Sequence, residues 1–136
     1  MVRIHEIYEG ELHTTCTHEP SGAKVATDAP RDNQGLGQSF SPTDLVATAL
    51  GSCMLTIMGI EARKQGWAIE GARVDVEKHM SSAPPRCIER LVLNFAMPAG
   101  VPQAARASLE DVSRTCPVCR SIHPDIAVDV GFAWPD

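Results

Sequence analysis

No cluster of Lys and Arg stands anywhere along this 136-residue chain, whose net charge is −5 with 12 Lys+Arg against 17 Asp+Glu. Without a basic patch there is no electrostatic footprint for nucleic acid or an anionic membrane, and neither is expected as a partner. The stretch MVRIHEIYEGEL has acids where an export signal needs an apolar core, so a cytoplasmic location is expected. No apolar run reaches the roughly 20 residues that cross a bilayer. The cysteines, at 16, 53, 87, 116 and 119, are odd in number, which argues against a structural disulfide framework. Neither a second C-x-x-C nor an H-x-x-x-H is present to complete a metal site with the first. Internal repeats are also missing.

What the chain does have is the run 45–60, LVATALGSCMLTIMGI, uncharged and closed by Asp44 and Glu61, with Cys53 at its middle. It reads as the core helix of a soluble protein. Ser41 suits the N-cap, Pro42 the first helical position, and Asp44 completes an S-x-x-D capping box. Gly66 is a natural stop, so the helix is expected over 42–65, about 36 Å long at 1.5 Å per residue. Three i,i+4 stripes run along it: Leu45, Ala49, Cys53 and Ile57; Thr48, Ser52 and Thr56; and Val46, Leu50, Met54 and Met58. A helix apolar nearly all round is buried on most sides. In so small a chain that calls for a sheet on one side and a second copy of the subunit on another.

Around this helix the pattern predicts strands at 2–8, 11–17 and 23–27, then a Gly-, Asn-, Asp- and Pro-rich loop over 28–41. Beyond it, alternation over 67–80 and 87–97 predicts a long hairpin, 103–115 an amphipathic helix, and 126–132 a last strand. The order βββ-α-ββ-α-β is α+β, with antiparallel sheets around a long buried central helix, in a single domain over 1–136.

Thiols dominate the candidate chemistry. Cys16 and Cys87, in or beside expected strands, read as structural filler. Cys53 is either core filler or a reactive thiol whose small and hydroxylic neighbours Gly51, Ser52 and Thr56 let another backbone or a ligand approach; reactivity would need a cation or aligned donors. The segment Cys116-Pro117-Val118-Cys119 leaves three uses open: a redox pair, a metal half-site with His123, and structure. His5, His13, His18 and His79 are scattered and read as solvated surface residues.

The motifs SPTDLVATALGSCM (41–54) and TCPVCRSI (115–122) resemble the two cysteine motifs of the OsmC/Ohr family, the osmotically inducible and organic-hydroperoxide-resistance proteins. The resemblance spans nearly the whole chain. It implies an α+β fold whose two subunits interlock as a homodimer around paired central helices, with active sites at the interface. It implies thiol-dependent reduction of organic hydroperoxides in oxidative or osmotic stress, Cys53 matching the peroxidatic cysteine and Cys116 the resolving one. An external dithiol reductant is implied, and no metal or organic cofactor. A non-catalytic member of the same fold, binding a small apolar ligand, is the alternative.

Two features depart from the family pattern. Peroxidases of the family activate the cysteine with an arginine and a glutamate, the latter ten residues before the cysteine, where this chain has Thr43. Asp44 is the nearest carboxylate, but it lies about 180° round the helix and some 13 Å from Cys53, so it could act only across a dimer. Arg31 lies in the loop where relatives place the arginine. Cys119 stands where the pattern usually has another residue.

Overall fold

The computed structural model describes residues 1–136 throughout, and they form two compact units, 1–46 and 47–136. In the first unit β1 (Ile4–Gly10), β2 (His13–His18) and β3 (Lys24–Asp28) make an antiparallel sheet in that order. Glu11 and Leu12, between β1 and β2, take positive φ of 52° and 59°, as a tight hairpin turn matched to strand twist requires. Ile4, Ile7 and Tyr8 of β1 remain largely exposed. The expected loop follows, with one 3-10 turn at Arg31–Asn33. Its tip folds tightly: Gly35 N donates to the Pro30 carbonyl at 2.9 Å and Gly37 N to that of Ala29 at 3.2 Å.

Helix α1 (Pro42–Gln65) has the expected bounds, and its caps explain them. Ser41 N donates to Asp44 Oδ2 at 2.9 Å while Asp44 N donates to Ser41 Oγ at 3.1 Å, a reciprocal capping box. At the other end Gly66, at φ 74°, turns left-handed and lets Trp67 N reach the Ala62 carbonyl at 2.9 Å, which satisfies a carbonyl that the helix leaves open.

The second unit holds the core. β4 (Arg73–Met80) and β5 (Ile88–Ala96) form the expected hairpin, β4 alternating between exposed Arg73, Asp75, Glu77 and His79 and half-buried Val74, Val76, Lys78 and Met80. β4 starts later than the pattern predicted, because Gly71, at φ 90°, and an Ala72-to-Ile69 backbone bond make a turn of the residues before it. From α1 this unit buries Ala47, Leu50, Gly51, Met54, Met58 and Ala62. Only that stripe is buried within one chain; Thr48, Ala49, Ser52, Thr56 and Ile60 are exposed, so the expectation of all-round burial is not met by a single subunit. By length and composition α1 would also cross a bilayer, but its buried stripe packs on the sheet.

Gly51 shows how closely it packs. A Cβ there would lie 2.9 Å from Val76 Cγ2 and 3.3 Å from Val74 Cγ1, both on β-branched side chains with little freedom to turn away. Gly51→Ala should therefore destabilise the fold by about 1 kcal/mol, crowding of about 1–3 kcal/mol exceeding the gain of up to about 1 kcal/mol in helix propensity. Urea unfolding checks this, and a stabilised variant would contradict the packing.

The antiparallel expectation fails at the last strand. β6 (Ala127–Ala133) pairs parallel to β5, Arg90 opposite Ala127 through Ala96 opposite Ala133. Parallel neighbours need a long crossover, and the chain between them supplies it with a 3-10 turn at Gln103–Ala105 and two helices, α2 (Arg106–Ser113) and α3 (Pro117–Ser121). The single helix expected over 103–115 thus begins as a 3-10 turn and is followed by a second helix. Leu109 of α2 is fully buried. Trp134 Nε1 donates to Glu110 Oε1 at 2.8 Å and Arg106 stacks on the Trp134 ring at 5.2 Å, fastening the residues after β6 to α2.

Candidate active site

Two elements of the second unit bring the thiols together. α1 carries Cys53 one residue before the buried Met54, so its sulfur is half-buried at the edge of the core cluster. Cys116 is the N-cap of α3, with extended backbone (φ −62°, ψ 143°) and Pro117 at the first helical position. Capping turns its sulfur inward: Cys116 Sγ accepts the backbone N–H of Cys119 at 3.2 Å, and the residue is completely buried.

Cys53 packs against the core cluster that contains Cys116, and both thiols are reduced. Burial pushes the Cys116 thiol up to about 11 from its ordinary 9.0, and the bond with Cys53 adds to the rise, as does repulsion between thiolates at Cys116 and Cys53 or Cys119. Only the Cys119 N–H opposes it. Cys116 therefore holds its proton through neutral pH.

This shift has a sign that can be measured. The folded chain keeps the Cys116 proton to about pH 11, whereas the unfolded chain releases it near 9. Stability from this group is thus full below pH 9 and is lost as pH climbs toward 11. The urea midpoint should fall between pH 8 and pH 10.5, and by less in Cys116→Ala; equal falls would remove the assignment.

The other expected site residues go elsewhere. Asp44 is occupied in the capping box, and Arg31 Nε donates to the Leu36 carbonyl at 3.3 Å within its own loop. Gly51 faces β4, so it admits the sheet and not a ligand as its neighbour. The hydroxyl of Thr56 is spent on the Ser52 carbonyl at 2.8 Å. His123 Nδ1 accepts the Asp125 N–H, and no three His, Cys, Asp or Glu side chains converge as a ligand set. Cys16 is buried in β2, and Cys87 is exposed just before β5.

His13 corrects the view of the histidines as solvated. It is half-buried and bonds Asp28 Oδ1 through Nδ1 at 2.5 Å, while Asp28 Oδ2 accepts the Gln38 N–H at 2.8 Å. The bond to His13 holds the Asp28 carboxyl below its usual value. The pairing of β2 with β3 places the two residues opposite each other, which single-residue reading misses.

Cys119, for which the sequence left redox, metal and structural uses open, here gives its backbone N–H to the Cys116 sulfur. Its signal was available: Cys116-Pro117 repeats the cap-then-proline pattern of Ser41-Pro42.

A buried thiol and a half-buried one at the same core cluster, in an α+β fold built around one long helix, define a dithiol protein. The OsmC-like protein family matches over residues 35–131, and the chain belongs to that family. Among solved structures it is similar to a protein from Psychrobacter arcticus 273-4 provisionally described as an osmotic stress induced and detoxification response protein. The two share 40% identity over 98% of this chain and 96% of that one, with a TM-score of 0.92. The fold also matches OsmC, an organic hydroperoxide resistance protein of Legionella pneumophila, at 17% identity, 98% and 96% coverage and a TM-score of 0.77. An organic hydroperoxide resistance protein from Elizabethkingia anophelis, with thiocyanate bound, matches at 12% identity, 99% and 96% coverage and a TM-score of 0.78. A search of curated proteins finds no match.

Proposed function

We propose that this chain reduces organic hydroperoxides with its own thiols, Cys53 being the sulfur oxidised and Cys116 the one that resolves it. The observation that carries the reading is the placement of a half-buried thiol, Cys53, against the core cluster that holds the fully buried thiol of Cys116. Cys53 as thiolate attacks the terminal peroxide oxygen; the O–O bond breaks, the alkoxide takes a proton and leaves as alcohol, and Cys53 becomes a sulfenic acid. The Cys116 sulfur then attacks Cys53, its proton leaving with the hydroxyl as water, and a Cys53–Cys116 disulfide forms. An external dithiol returns both to thiols. Each step uses a side chain already in place, and neither a metal nor an organic cofactor enters the scheme.

The working form in this reading is a cytoplasmic homodimer. Support comes from the exposed, uncharged side of α1 at Thr48, Ala49, Ser52, Thr56 and Ile60, which a second copy would cover. A partner would also be the source of a group that lowers the barrier to forming the Cys53 thiolate, since Asp44 and Arg31 are engaged locally.

The test is consumption of t-butyl hydroperoxide by the purified, fully reduced chain with dithiothreitol as reductant, against hydrogen peroxide at equal concentration. Turnover of the organic peroxide at a rate above that of dithiothreitol alone is expected. No turnover would sink the reading.

One observation favours a second reading. An open groove of about 730 Å³ runs beside the latter half of α1, with Leu55, Ile60, Trp67 and Ile69 in its walls and Arg63 and Glu70 beside them. It suits a small apolar ligand with the thiols incidental. Saturable binding of a fluorescent acyl probe together with inert thiols would favour this over peroxide reduction.

A further inference from the structure

Resting on the thiol chemistry proposed above, we propose that Cys119 is a third redox-active thiol, which takes the disulfide over from Cys53 and leaves a Cys116–Cys119 bridge as the resting oxidised state. The three sulfurs belong to one cluster. Cys53 and Cys119 both pack against the core cluster that includes Cys116, and the Cys119 N–H already bonds the Cys116 sulfur at 3.2 Å. Cys116 and Cys119 are the cap and third residue of one helical turn. The Cα atoms of residues so spaced in a helical turn stand about 5 Å apart, inside the Cα separation that disulfides span, so a bridge needs local side-chain adjustment. The second-unit core therefore stays in place.

Accessibility gives the relay its purpose. Cys53 and Cys119 are both half-exposed while Cys116 is wholly buried, so the exchange moves the bridge from one reachable sulfur to another and returns the sulfur that meets peroxide to its thiolate. Once Cys53–Cys116 has formed, the Cys119 thiolate attacks the Cys116 sulfur. The Cys116–Cys119 bond forms, the Cys53–Cys116 bond breaks, and Cys53 leaves as a thiolate; no net oxidation occurs in the exchange. Cys119 attacks Cys116 and not Cys53 because it already sits against the Cys116 sulfur, which its own N–H bonds at 3.2 Å. External dithiol then attacks the accessible Cys119 sulfur, and the Cys116 thiolate that departs keeps the Cys119 N–H as its donor.

Time-resolved disulfide mapping decides this. The reduced chain is treated with one equivalent of t-butyl hydroperoxide, or in parallel with diamide, quenched in acid at intervals, alkylated and digested with trypsin. Cleavage after Arg114 and Arg120 leaves both thiols on one peptide, TCPVCR. The expected course is a Cys53–Cys116 cross-linked peptide that gives way to TCPVCR lighter by two hydrogens, with Cys53 alkylated. In Cys119→Ser the cross-link should persist until dithiothreitol is added. A wild-type cross-link that persists with Cys119 alkylated overturns the proposal. Peroxide consumption in the same samples separates the two ideas: inert peroxide sinks the peroxidase reading, while the diamide arm still shows which pair holds the bridge.

Discussion

Cys53→Ser should abolish hydroperoxide reduction, with a loss on the order of a thousandfold or more, to the background set by the reductant. A hydroxyl does not ionise near neutral pH as a thiol does and is a far weaker nucleophile toward a peroxide oxygen. Cys116 should not rescue it, being buried and protonated to about pH 11. Cys116→Ser should behave differently. It should complete one turnover at Cys53 and then stall, the sulfenic acid having lost the sulfur that resolves it. Excess peroxide then drives Cys53 to the sulfinic acid. Peroxide consumption in stopped flow and intact mass separate the two variants, one silent and one consuming one equivalent for each oxygen it gains, two by the sulfinic acid, and then stopping. Full activity in Cys53→Ser would remove that residue from the chemistry.

Phe95→Ala should give the largest stability loss of any single core truncation. Phe95 is 2% exposed on β5 and stacks on Phe132 of the parallel neighbour, with ring centroids at 4.8 Å and planes 13° apart. Truncation removes buried area, leaves a cavity and ends the ring pair, together about 3–5 kcal/mol. Against a typical total of 5–15 kcal/mol, that is a shift of roughly 1–3 M in the urea midpoint. Ile7→Ala, on the exposed face of β1, is the control and should move the midpoint little. A loss under about 1 kcal/mol for Phe95→Ala would show that β6 does not pack on β5 as described.

The elements that were readable from the sequence are those with strong local signals. α1 combines a capping box, a proline at its first position and a glycine just past its end, and its bounds follow from those residues alone. The β4–β5 hairpin declares itself by alternation at Val74, Val76, Leu91 and Leu93. The parallel pairing of β6 was not readable, because strand direction depends on where the crossover returns the chain, and the alternation of Val128 and Val130 is the same in either direction. Helix α3 was missed because five residues carry no helical period, although the cap at Cys116 was in view. In the site, the two thiols could be named from their motifs, but which one holds the proton depends on burial in a core assembled from distant segments. Likewise His13 could not be told from a surface histidine until β2 and β3 set it against Asp28.

The crossover that makes β6 parallel also sets a concentration. Both of its ends are pinned to β5 and β6, so the Cys116 sulfur searches almost no volume and meets Cys53 as an intramolecular partner. Flexible tethers give effective concentrations near the millimolar range, and well-oriented groups far more. A second peroxide molecule competing for oxidised Cys53 would have to exceed that figure to win. Overoxidation of the wild-type chain should therefore set in only at millimolar peroxide or above, and cutting the chain between α3 and β6 should lower that threshold.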